Sequence, residues 1–129
     1  MDKKFKIWSQ QTNEMLDVAA MWQQQNCEWL CAFIHTPGKI QVASKDLLQS
    51  TGLMDVNGYL IYNGDIIKCF PSNIIGHVVY DEKMAYWLIR IILDNESAEM
   101  SVHSTQNEKG WNIRREIIGN IYSNPELLK

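Results

Sequence analysis

No stretch of about 18 consecutive apolar residues occurs in this chain, so no segment reads as a membrane-spanning helix. The opening MDKKFKIWSQ is charged, and no apolar core follows it, so it does not read as a secretory signal. The expected compartment is the cytoplasm of the cell that makes the protein, with no membrane partner. An excess of basic charge is also missing: Lys+Arg 12 against Asp+Glu 15 gives a net charge of -3. That ranks broad contact with a phosphate backbone low. Lys3, Lys4 and Lys6, with Arg114 and Arg115, are the candidate local basic patches, and they read first as solvated surface. Cysteine is sparse and odd in number, at three, which suits reduced thiols packed as small apolar groups. There is no internal repeat, low-complexity segment, linker, G-x-G-x-x-G or P-loop.

What is present is a chain of 129 residues, 46% hydrophobic, enough for one domain whose core needs neither metal nor disulfide. An N-terminal β subdomain over 1–45 and a barrel-like part over 46–129 are the expected internal divisions. KFKIW (4–8) and MLDVA (15–19), separated by polar SQQTNE, read as an N-terminal hairpin. Residues 20–34 fit either a helical stripe through Trp22, Trp29, Leu30, Phe33 and Ile34 or a buried strand; aromatic and branched residues favour a strand over 28–35. Thr36-Pro37-Gly38 then turns the chain into a strand over 39–43. Ser44 fits the N-cap of a short helix, SKDLLQST, with Asp46 in its first turn and Gly52 ending it.

Two Asn-Gly pairs follow, Asn57-Gly58 and Asn63-Gly64, whose residues tolerate positive φ and let the backbone reverse tightly. Between them YLIY is too short for a strong strand. Asp65 is placed to accept hydrogen bonds from the amides of its own turn. Strands are expected over 65–70, 74–80 and 85–93, a weaker one over AEMSVH, and a last one over 111–122 bent at Gly119. Asn124-Pro125 opens a closing helical turn. Short strands recurring about every 8–12 residues point to a mainly β fold: a small SH3-like barrel or strongly bent antiparallel sheet with short helical turns.

These residues carry a resemblance. Thr51-Gly52-Leu53 with Asp55, Asn57-Gly58, then Ile61-Tyr62-x-Gly64-Asp65-Ile66-Ile67, resembles the YopX protein family of phages and prophages. The closing Ile117-Ile118-Gly119-Asn120-Ile121-Tyr122-x-Asn124-Pro125-Glu126-Leu127-Leu128 is similar to that family's closing motif. Phe5-Lys6-x-Trp8 with Met15, and Gly76 with Val78-Val79-Tyr80, fit its opening and its central strand. The resemblance covers about two-thirds of the chain and does not reach 20–45. It implies a small β-rich fold and a phage or prophage gene, and brings no catalytic residues with it.

Chemistry-bearing residues are few. Cys27, Cys31 and His35 lie at i, i+4 and i+8, and Cys69, His77 or His103 could supply a fourth zinc ligand. One C-x3-C pair is a weak signal, and buried thiols are the favoured reading, with no metal and no cofactor. Cys69 and His77 fall on neighbouring strands as a formal nucleophile–base pair, but Ile66, Ile67, Phe70 and Ile74 mark Cys69 as apolar filling. Asp81, Glu82, Asp94 and Glu96 sit in turns and form no facing pair. Of the five tryptophans, Trp87 and Trp111 are expected in the core, and Trp22 and Trp29 are the candidate interface residues.

The expectation is therefore a non-enzymatic phage accessory protein of the bacterial host cytoplasm. It would act through self-association or contact with a host or phage protein, with homo-oligomerisation expected. The second-ranked reading is a nucleic-acid-binding SH3-like module in phage replication or gene control, which requires Lys and Arg clustered with aromatics on one face. An enzyme, with titratable groups converging in a pocket, ranks third.

Overall fold

A computed structural model describes residues 4–10, 12–24, 28–34, 38–42, 46–71, 73–83, 85–93, 96–101 and 114–128. The fold is mainly β, with a strongly curled, half-barrel antiparallel sheet and a second sheet. The chain forms two compact units, Met1–Ser50 and Thr51–Lys129.

In the first unit, β1 (Phe5–Ser9) and β2 (Glu14–Gln23) form the expected hairpin, with Ile7 opposite Leu16 and Trp8 opposite Met15. The second arm is longer than its apolar run suggests. It continues through Ala20–Gln23, so the helical alternative for that segment gives way to a strand. β3 (Trp29–Phe33) pairs with β2, and β4 (Lys39–Val42) pairs with β3 as the sequence predicts. Ile7, Cys31, Phe33 and Val42 are buried together, and Leu16, Val18, Met21, Trp29 and Leu47 pack on them.

The short helix expected over 44–51 is a correction. Residues from Leu47 onward form strand β5 (Leu47–Met54). Its first half pairs with β1, setting Ile7 opposite Leu47 and Lys6 opposite Leu48. Leu48 and Ser50 are buried while Leu47 and Gln49 are half-buried, a period of two. Cross-strand pairing outweighs a local cap signal carried by one Ser and one Asp. Gly52 does take φ +82, but inside the strand rather than at a helix end.

In the second unit, β6 (Leu60–Tyr62) is the short strand left by YLIY. A five-stranded antiparallel sheet follows in the order β10-β9-β8-β7-β11. Its strands are β7 (Asp65–Phe70), β8 (Ile74–Asp81), β9 (Tyr86–Leu93), β10 (Glu96–Ser101) and β11 (Arg114–Asn120). β7 holds both Ile66 and Ile67 at 0% exposure, so it is covered on both faces. Ile61, Ile67, Cys69, Val78, Trp87, Ile89 and Ile91 form the core of this unit, which puts Trp87 where the sequence predicts. The register of β11 slips between Ile117 and Gly119, the bend expected at that glycine. A closing 3-10 turn, Pro125–Leu128, packs on β8.

Candidate interaction surface

Among the described residues, those with the chemistry of a metal or catalytic site are kept apart. Cys31 is buried in the core of the first unit, and burial pushes its thiol pKa up. Cys27, His35 and His103 lie outside the described residues, as do Lys3 and Trp111. Among the described residues no three His, Cys, Asp or Glu side chains gather as a metal site. Cys69 stands opposite Ile74 and His77 stands opposite Ile66, three ladder positions apart. An odd offset puts the two side chains on opposite faces of the sheet, so no proton can pass directly between them. Burial raises the Cys69 thiol pKa, and the charge and hydrogen bond of Arg115 offset this only in part. Burial, and then the charge of Arg90, lowers the imidazole pKa of His77. A thiol pushed upward is a poor nucleophile at neutral pH.

The turn residues do assemble. Gly58 and Gly64 carry φ of +83 and +89, while the left-handed non-glycine positions are Asn13, Asn73 and Ala85. In both Asn-Gly pairs it is therefore glycine that takes the positive φ. Asp65 accepts a 2.7 Å hydrogen bond from the amide of Tyr62, as expected of a carboxylate closing its own turn. The closing motif folds onto the same place. The Ile121 amide donates to the Gly64 carbonyl at 2.9 Å, and the Gly64 amide donates to the Val78 carbonyl at 2.9 Å. Asn120 Oδ1 accepts from the amides of Tyr122 and Ser123. Asn124 Oδ1 accepts from the Asn120 amide and lies beside Gly119, immediately before Pro125. Two sequence-distant signatures are thus one structural joint.

Asp55 is the residue whose role the sequence does not reveal. It is only 7% exposed. Its Oδ1 accepts from the Asn57 and Tyr59 amides, both at 2.9 Å, and its Oδ2 accepts from the Ile117 amide at 3.0 Å. In the sequence it stands out through its place in the motif that carries the family resemblance, just ahead of Asn57-Gly58, and neither signal points to β11.

The two interface candidates part company. Trp29 packs on the buried cluster of the first unit. Trp22 is 48% exposed, and the Lys39 ammonium sits 4.9 Å from the centre of its ring. A bulge causes the separation. From Phe33 to Cys31 the β3 strand advances two residues, while β2 advances three, from Val18 to Met21. Val18 and Met21 therefore both face the core, and Trp22 turns outward opposite Leu30. Outside the first unit, Met54 at 67%, Val56 at 52% and Tyr59 at 67% are also exposed, all at the turn fixed by Asp55.

Among the described residues the cations do not form a one-signed face. On the face of the second sheet that bears His77, Lys68, Arg90 and Arg114 share the surface with Asp81, Glu99 and Glu116. Lys68 lies opposite Glu116, and Arg90 is paired with Glu99 at 3.3 Å. Arg115 points to the other face, beside Cys69. Lys6 lies 3.8 Å from Asp17. Among the described residues no helix is long and apolar enough to cross a membrane.

The comparisons with known proteins agree with this architecture. No functionally curated protein matches the chain. Among solved structures, it is similar to protein EF1440 from Enterococcus faecalis, at 20% identity and a TM-score of 0.52, covering 100% of this chain and 99% of that one. At that identity the likeness concerns the fold. The SHH1 SAWADEE domain of Arabidopsis thaliana, in a selenium-substituted mutant, matches at 18% identity and a TM-score of 0.32, covering 90% of this chain and 98% of that one; so low a score supports no conclusion. The sequence profile described as YopX protein matches residues 4–129. The chain belongs to the YopX protein family.

Proposed function

We propose that this chain is a phage or prophage accessory protein that works without catalysis in the bacterial host cytoplasm, through self-association or contact with a host or phage protein. The supporting observation is Trp22. A half-exposed indole under a lysine ammonium, on the outward side of a sheet, is the kind of anchor that interfaces bury. The bulge in β2 exposes it at the expense of regular pairing. The nucleic-acid reading finds less support, because the cations of the second sheet alternate with carboxylates. The catalytic reading finds less support because Cys69 and His77 face apart. Sedimentation of the parent protein and of Trp22→Ala tests the proposal. The parent should form an assembly that persists in high salt, and Trp22→Ala should weaken it at least about tenfold, as a central aromatic anchor does. An unchanged assembly in the variant would remove Trp22 from the account.

A further inference from the structure

We infer that residues 55–59 are a built-in plug on the β11 edge, and that dislodging it opens this edge to a second copy of the chain. Among the described residues β11 is a terminal strand of its sheet, paired on one side with β7. An edge strand offers unpaired N–H and C=O groups that template further strands. Here two of them are taken by the chain itself. The Val56 amide donates to the Arg115 carbonyl at 2.8 Å, and the Ile117 amide donates to Asp55 Oδ2 at 3.0 Å. The carboxylate stands where the carbonyl of an added strand would stand.

The plug is stiff. Asp55 Oδ1 holds the Asn57 and Tyr59 amides, the Asp55 amide donates to the Tyr59 carbonyl, and the Gly58 amide donates to the Asp55 carbonyl. Five residues are thus locked around one side chain, and two of their bonds reach β11.

The edge beneath would accept a copy of itself. Ile117 and Ile118 make its middle apolar. In an antiparallel pairing with Arg115 opposite Arg115, each Arg114 lies opposite Glu116 of the other copy. Those two Arg–Glu contacts, related by symmetry, lie on one face and outnumber the single like-charge pair, Arg115 with Arg115, on the face of Cys69. The pairing involves none of the residues around Trp22, so it stands or falls independently of the proposed function.

Asp55→Asn is the selective test. The amide oxygen can still accept from Asn57 and Tyr59, but an NH2 group replaces Oδ2 and confronts the Ile117 N–H, donor against donor. The expected result is a folded variant whose weight-average mass rises at least about twofold above the parent's with concentration, with faster Ile117 amide exchange in dilute solution. A folded variant that exchanges Ile117 quickly yet keeps the parent's mass at every concentration overturns the inference. Hydrogen exchange on the unaltered protein is the second measurement and does not depend on the variant folding. Ile117 should be protected like the interior amides of β7, and rapid exchange there also overturns it.

Discussion

Gly76→Ala should be among the most damaging single-methyl changes in the second unit. Gly76 lies in β8 between Ile67 of β7 and Ile91 of β9. A Cβ added there would stand 2.4 Å from Ile91 Cγ2, 2.6 Å from the Arg90 carbonyl oxygen and 2.7 Å from Ile89 Cγ2. The isoleucines could rotate, but the carbonyl belongs to a paired strand and cannot. Replacing glycine by alanine in an open strand position would instead stabilise by roughly 0.5–1 kcal/mol, through the unfolded chain. Overpacking costs about 1–3 kcal/mol, and a spoiled ladder hydrogen bond leaves a buried group unsatisfied for a similar amount, so after that gain is subtracted the net loss should be about 1–5 kcal/mol. For a chain of 129 residues this lowers the melting temperature by roughly 4–20 °C. Gly58→Ala is the control: nothing lies within 4 Å of its added Cβ, and only its φ of +83 opposes the change. That strain costs about 1–2 kcal/mol. Urea titration followed by far-ultraviolet circular dichroism compares the two. If Gly76→Ala proved no more destabilising than Gly58→Ala, the close approach of β8 and β9 would be wrong.

Two further predictions concern titrating groups. His77 has its pKa lowered by burial and then by Arg90, so below the ordinary value of 6.5 the unfolded chain takes up a proton that the folded one resists. The stability present above that pH is lost as the pH falls through it, and His77→Gln should show a shallower decline in melting temperature; parallel curves would refute this. Cys31 and Cys69, both buried with raised pKa values, should react with iodoacetamide at least about a hundredfold slower in the folded protein than in denaturant. Labelling of either at the rate of a free thiol would refute their burial.

Much of the fold could be read locally. Asn-Gly pairs, Pro71 and the alternation of IIGHVVY each act within a few residues, so turns and strands from Asp65 to Leu93 follow from sequence. Three features could not be read in this way, and each depends on contacts across the chain. β5 is a strand because β1 offers it a partner, although its own residues suggest a capped helix. Trp22 faces outward because one extra residue in β2 inverts the alternation, and a bulge leaves no mark in composition. Asp55 clamps an amide 62 residues away. The resemblance carried by the Gly64 and Gly119–Pro125 motifs was legible because both halves are strings of turn residues, yet their meeting at Ile121 and Gly64 appears only in three dimensions.

The most direct measurement is light scattering on the purified protein at low and high salt, with and without mixed short DNA and RNA. The account predicts an assembly whose mass ignores both salt and nucleic acid. A mass that rises with nucleic acid and falls back in high salt would contradict it and shift attention from Trp22 to Lys68, Arg90 and Arg114.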